Sequence, residues 1–356
     1  MASLAQKGEE RSSSFPQLTS SALHGGSRIP VSAAAGLTVL YTVFYIAPFY
    51  ISPTLRSTSL SNRNNPAVIK ARIRAVGLTC LLCTAINVLV LVGSSGATAY
   101  DVLRMLGIYP IHLVDVAKCL LLVAVLFVGP LFEVGIAESQ WRYWYQWRYI
   151  KETIYDDWQG WRNILLGPAS EELVFRSLAI SLFQLAGSSP IYITFVSPLI
   201  FGLAHLHHLH EFIVSKQRPD ATYLETASTP SVLIPGVVRS LVMFMYTSLF
   251  GFFEAFVYLR TGNVWSCFVA HAFCNCMGLP RFLGRVGKGL GKATNAEAPV
   301  SAAMQDVANE IHPESEEHDL GIEWTVVYYV LLCVGAYAFK ALLFPLTESD
   351  LALGTF

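Results

Sequence analysis

AVGLTCLLCTAINVLVLVG, residues 75–93, is a run of nineteen residues without a charged side chain. As a helix rising 1.5 Å per residue it covers about 28 Å, close to the ~30 Å thickness of bilayer hydrocarbon. Lys70, Arg72 and Arg74 stand just before it, a basic flank of the kind found at a membrane surface. Outward from this run, the same test gives eight apolar windows: 31–51, 75–93, 111–136, 161–186, 191–208, 237–259, 263–282 and 322–344. The expected fold is therefore all-α, a polytopic transmembrane helix bundle of about eight spans, because a lone segment in lipid satisfies its backbone only as a helix.

Composition agrees. Apolar residues make up 53% of the 356 and charged residues 14%, against roughly 25% charged in a soluble domain; mean hydropathy is +0.48. A net charge of -1 leaves no basic surplus for phosphates, so no nucleic-acid partner is expected. Of the seven cysteines, Cys80, Cys83, Cys119, Cys267, Cys274, Cys276 and Cys333, nearly all lie inside apolar stretches. There they read as small hydrophobes. The C-x-x-C pair Cys80 and Cys83 has no second pair to complete a zinc site.

Basic residues orient the bundle. The loops after spans one, three, five and seven hold thirteen Lys and Arg, from Arg56 to Lys292, while those after spans two, four and six offer Arg104 and Arg260. The basic side is expected to be cytosolic, which places both termini on the opposite side. Residues 1–30 are polar and Ser-rich and read as a disordered tail. Residues 31–356 then form one membrane domain, with a catalytic core at 161–281, a flexible loop at 284–321 and a last span at 322–344. In 140–161, QWRYWYQWRYIKETIYDDWQGW, Trp and Tyr alternate with Arg and Lys, the pattern of an amphipathic helix lying at headgroup level. Asp115, Lys118, Glu133, Arg239 and Glu254 sit toward span ends, where snorkelling to the interface is expected.

Three windows concentrate polar groups that an anchoring helix would avoid. A charge at the bilayer centre costs at least ~2.5 kcal/mol on insertion scales, so it faces a cavity and has a partner. In PASEELVFR, residues 168–176, Glu172 and Arg176 are i,i+4 and read as an internal ion pair. Glu171 projects about 100° away and is left free to act on something else. FGLAHLHHLH, residues 201–210, carries His205 inside the span, with His207, His208 and His210 running into the following loop. HAFCN, residues 271–275, sets His271 and Asn275 on one stripe of the seventh window. By counting residues from the cytosolic side, Glu171, His205, His271 and Asn275 all fall in or near the cytosolic half of the bilayer.

A carboxylate, two imidazoles and an amide suit water-mediated acyl transfer: a glutamate as general base on water, a histidine orienting it, and a histidine and an amide as oxyanion donors. No G-x-S-x-G elbow supports serine catalysis, and Cys274 and Cys276 sit where a thiolate is disfavoured. Two alternatives stay open. One is a zinc protease using Glu171, His205 and His271, although the H-E-x-x-H spacing is absent. The other is a scaffold or receptor that keeps these groups for helix packing.

EELVFR, FGLAHLHH and HAFCNCMGLP, in this order and spacing, resemble the three motifs of the type II CAAX prenyl endopeptidases. FGFFEAFVYLRTGN, residues 250–263, is similar to the segment that precedes the last motif in eukaryotic members. The resemblance covers about a third of the chain, 161–281. It implies a multi-pass protease of the endoplasmic reticulum, with its site open to the cytosol, that removes the last three residues of farnesylated or geranylgeranylated Cys-a-a-X proteins such as small GTPases. It further implies a metal-independent glutamate mechanism without cofactors. Glu171 and His205 would activate water, His271 and Asn275 would hold the oxyanion, and Glu172 and Arg176 would shape the site.

Overall fold

The structure is a computed structural model and describes residues 29–56, 64–287 and 320–356. The described residues are helical throughout, with no strand. Helix α1 is Val31–Ile46, α2 Pro66–Ser95 and α3 Leu113–Leu126. An unbroken helical run over 158–185 is α4; then follow α5 Pro190–Ala204, α6 Pro230–Thr261, α7 Val264–Met277 and α8 Ile322–Thr347. The polar tail 1–28 and most of the loop 284–321 lie outside the described residues.

Helix ends follow local chemistry. Pro occupies the first turn of α2, α5 and α6, where its missing N–H costs nothing. Asn65, Ser189 and Asn263 side chains accept backbone N–H bonds that would otherwise be orphaned at the starts of α2, α5 and α7. Between α6 and α7 the chain reverses at Gly262, whose φ of 55° is left-handed. A side chain there would also meet the Leu351 carbonyl and Arg104, so this turn requires glycine.

Among the described residues five helical stretches are long and apolar enough to cross a membrane: Val31–Ile51, Pro66–Ser95, Pro190–Lys216, Pro230–Thr261 and Ile322–Thr347. A sixth is the pair Leu113–Leu126 and Val128–Ala137, bent by 78°. Windows 161–186 and 263–282 fall short of that test taken alone. α7 has only 14 residues, about 21 Å of helix, and α4 carries Arg162, Glu171, Glu172 and Arg176 between π turns at Trp161–Leu166 and Leu173–Leu178. Both are enclosed by the longer helices: α4 packs on α1 and α2, and α7 lies against α3, α4 and α6. The two helices with the most polar motifs thus pack among apolar ones.

α5 and α6 cross closely because Gly202 faces Ser248 and Phe244, and Gly251 faces Pro198. α8 closes against α3, where Gly335 approaches the Val125 carbonyl. One contiguous apolar core joins α1, α2, α4, α5, α6 and α7.

Two expectations change. The segment 140–155 is a set of short turns, Gln140–Arg142, Trp147–Ile150 and Lys151–Tyr155, rather than one helix. Trp141, Trp144, Tyr145 and Trp147 still point outward while Tyr149 is buried, so the amphipathic division survives the breaks. The isolated charges do not all snorkel. Asp115, Glu133 and Glu254 are buried, and partners account for the first two: Asp115 meets His112, three residues earlier, at 2.8 Å and accepts from the distant Ser349 hydroxyl, and Glu133 meets Arg281 at 2.8 Å. Glu254 has no hydrogen bond to either carboxyl oxygen among the described residues.

Candidate active site

The site grows from α4. One π turn, Leu173–Leu178, separates Glu172 from the ordinary helix that follows; such turns widen the helix and are common at functional sites. Glu172 and Arg176 pair at 3.1 Å, both sealed from solvent, as their spacing implies. The guanidinium of Arg176 also lies over the Phe201 ring, 4.5 Å from its centroid, a contact that favours a cation in an apolar setting.

α7 supplies the next layer. His271 Nδ1–H donates to Glu172 Oε1 at 2.7 Å. The same carboxylate therefore holds the arginine with one oxygen and the histidine with the other. Its bond fixes the ring plane and leaves His271 Nε2 turned toward Glu171, 3.9 Å from Oε2. That is too long for a hydrogen bond, yet short enough for one water or substrate oxygen to touch both atoms. Phe250 backs the His271 ring edge-on at 4.7 Å. Glu171 keeps 24% of its side chain exposed while Glu172 has none, so the two neighbours divide into an accessible carboxylate and a sealed one.

His205 comes from the end of α5, where the helix tightens into a 3-10 turn over His205–His207. Its Nδ1 lies 2.8 Å from the Phe201 carbonyl. A carbonyl only accepts, so Nδ1 carries the proton and Nε2 of the neutral ring is left as an acceptor. Phe201 lies between Arg176 and His205, whose ring centroid is 4.6 Å away. Asn275, one turn after His271, donates one amide hydrogen to the Asn163 carbonyl at 2.9 Å. This anchors the amide and leaves its second hydrogen uncommitted to that bond.

Glu171, His205, His271 and Asn275 all line one cavity of about 580 Å³. The wall contributed by α1, the turn Pro48–Ile51 that follows it, and α2 is largely apolar: Ile46, Phe49, Ile69, Ile73 and Val76. Several residues with no sequence signal join them. Tyr45 OH and Ser170 Oγ are hydrogen-bonded at 2.8 Å beside Glu171. Arg162, Asn163 and Tyr246 also line the wall. Asn163 reaches Asn275 through its backbone carbonyl, which any residue possesses, so no residue pattern announces it. His207 and His208 are not in a solvated loop. The helix resumes at His208–Lys216, and both residues line the cavity, His208 bonded to Glu211 at 3.0 Å and Glu211 to Arg72 at 2.9 Å.

For a metal, the donor geometry can be tested. Among the described residues the groups of three possible ligands with donor atoms within 4.8 Å of one another are His207–His208–Glu211 and Glu172–Glu254–Cys267. The set Glu171, His205 and His271 that a zinc mechanism would require is not one of them. The second group is sealed in beside Arg176, whose charge opposes a bound cation.

Residues 153–277 match the Rce1-like family, described as type II CAAX prenyl endopeptidase Rce1-like. The chain is 34% identical over 251 residues to a probable CAAX prenyl protease 2 of Schizosaccharomyces pombe, an alignment covering 70% of this chain and 83% of that protein. It is 28% identical to CAAX prenyl protease 2 of Arabidopsis thaliana, covering 75% and 86% of the two chains. It is also 28% identical to the Homo sapiens protein of that name, covering 71% and 77%. No solved structure matches the chain. With more than four-fifths of the fission-yeast protein spanned at this identity, and with Glu171, His205, His271 and Asn275 lining one cavity, this chain belongs to the Rce1-like type II CAAX prenyl endopeptidases, multi-pass membrane proteases.

Proposed function

We propose that the chain releases the C-terminal tripeptide of prenylated Cys-a-a-X proteins, small GTPases among them, with Glu171 as the base that activates water. The observation that carries this reading is the convergence of Glu171, His205, His271 and Asn275 on one cavity whose other wall is apolar. An isoprenoid gains free energy on that apolar wall while its peptide bond meets the polar one.

Water held between Glu171 and the Nε2 lone pair of His205 loses a proton to the Glu171 carboxylate and attacks the scissile carbonyl. A C–O bond forms, and the carbonyl electrons move onto oxygen. The Asn275 amide hydrogen not bonded to Asn163 faces that oxyanion. His271 can join it only when Nε2 carries a proton, because Nδ1–H is committed to Glu172. Collapse of the intermediate breaks the C–N bond, and the proton on Glu171 passes to the leaving amine. Metal is not required by this scheme, and the site is expected to open to the cytosol in the endoplasmic reticulum membrane: the distribution of Lys and Arg supports the cytosolic side, and the family resemblance supports the organelle.

Glu171→Gln, which keeps size and hydrogen bonding, should lower kcat by about 10²–10⁴ on a prenylated Cys-a-a-X peptide, with the protein still folded and activity of the unaltered chain insensitive to chelator. Full activity in the variant would reject the mechanism. Loss to a chelator with recovery on adding zinc would favour a metalloprotease instead.

A further inference from the structure

The catalytic scheme gives the oxyanion one neutral donor, the Asn275 amide, and a second only when His271 is cationic. Two tyrosines, Tyr45 and Tyr246, line the same cavity, and the scheme uses neither hydroxyl. Their hydrogens differ in availability. Ser170 Oγ donates to the Gly167 carbonyl at 3.0 Å, so in its 2.8 Å contact with Tyr45 it accepts, and the Tyr45 hydrogen is committed. The half-exposed Tyr246 has no hydrogen bond to its hydroxyl among the described residues.

Helix register places that residue. α6 and α7 are joined by the reversal at Gly262 and run antiparallel. Cys267 Sγ reaches the Glu254 carbonyl at 3.5 Å. Four residues on in α7 and four back in α6, the His271 ring meets Phe250 with 4.7 Å between centroids. A further step of four, about one turn, brings Asn275 level with Tyr246. The Tyr246 hydroxyl is also near enough to the Glu171 carboxyl and to the Cys274 thiol to interact electrostatically with both. Register and these two neighbours agree in putting the phenol at the level of Asn275 and toward Glu171.

We infer that Tyr246 donates its hydroxyl hydrogen to the oxyanion beside the Asn275 amide, as a second neutral donor that does not require a charged His271. This rests on the peptidase reading above and deepens it. Donors fixed in advance around developing charge are worth far more in a water-poor site than in water.

The test uses the full chain in detergent with a farnesylated Cys-a-a-X peptide and its phosphinate analogue, in which a tetrahedral phosphorus bearing P–O⁻ replaces the scissile carbonyl. Y246F keeps the ring and removes the donor. Its kcat should fall by about 10²–10³ with KM little changed, and its Ki for the phosphinate should rise at least about tenfold, because that analogue presents the oxyanion. Y45F, whose lost hydrogen serves Ser170, should shift that Ki less. A Ki does not depend on how much of the protein is folded, so instability alone cannot produce the rise. Unchanged kcat in Y246F, a fall in kcat without a rise in the phosphinate Ki, or equal rises in Y45F and Y246F would overturn the donor while leaving the peptidase intact. Failure of the unaltered chain to cleave the peptide would instead strike the peptidase reading, and this donor with it.

Discussion

His271 Nδ1–H donates to Glu172 Oε1 at 2.7 Å, a bond between residues 99 apart in the chain. It ties the motif helix α7 to α4 at the one carboxylate that also neutralises Arg176. Glu172 therefore shapes the site in a definite way: it sets the tautomer and ring plane of His271, while its neighbour Glu171 stays accessible.

Glu172 and Glu254 should respond oppositely to the same substitution. Glu172→Gln leaves Arg176 buried without its counter-ion, an expected cost of about 3–5 kcal/mol, and releases His271, so thermal stability and activity should both fall sharply. Glu254 is buried with no hydrogen bond to its carboxyl group among the described residues, and its carboxyl lies within 4.8 Å of that of Glu172. Glu254→Gln removes any charge at an unfavourable place and should hold or raise the melting temperature. Unfolding curves of the two variants in one detergent check the contrast.

Asn275→Ala removes the proposed oxyanion donor together with the anchor to Asn163. Loss of such a donor costs about 10²–10³ in kcat, and KM for the prenylated peptide should change little. A variant with unchanged kcat and a raised KM would assign Asn275 to substrate binding.

Gly202 lies three residues before His205, where a Cβ would overlap Ser248 Oγ and press on Phe244. Gly202→Ala should push α5 off α6 at an expected cost of about 1–3 kcal/mol. Activity should drop further than stability alone explains, because His205 leaves the cavity with α5. Adding Ser248→Ala, which removes the clashing oxygen, should restore part of both.

Glu138 lies just beyond the bent helix pair. Burial, assisted by the nearby Glu133 carboxylate and opposed by Arg281, pushes it from 4.5 up to about 7. Between those values the unfolded chain has released this proton and the folded chain still holds it. Stability contributed here is thus full below about pH 4.5 and declines as pH rises toward 7, levelling off above. Glu138→Gln preserves an acceptor for the Gln140 amide and never ionises. It should flatten that decline and stabilise the protein by about 1–3 kcal/mol at pH 8, read from melting temperatures between pH 5 and 8.

Much of the site was legible because its residues are conspicuous: an ionisable group inside an apolar helix needs a reason. The Glu172–Arg176 pair followed from i,i+4 spacing alone and is present. What misled was position along a span. Glu254 and Glu133 stand near span ends in sequence, where snorkelling is the ordinary outcome, yet neighbouring helices enclose both. Likewise His207 and His208 read as loop residues because the apolar run ends there, while the structure continues as helix against the cavity.

Composition and hydropathy by themselves determined that the chain is an all-helical membrane protein, and the motifs determined which polar residues would be exceptional. Periodicity reaches one helix at a time, so it can say which side chains share a face. Only the tertiary structure decided that Glu172 takes His271, that Asn275 takes a backbone carbonyl, and that Arg162 shares a cavity with Glu171. The first two contacts join residues about 100 positions apart, and a hydrogen bond depends on a few tenths of an ångström between helices, a quantity set by how the whole bundle packs.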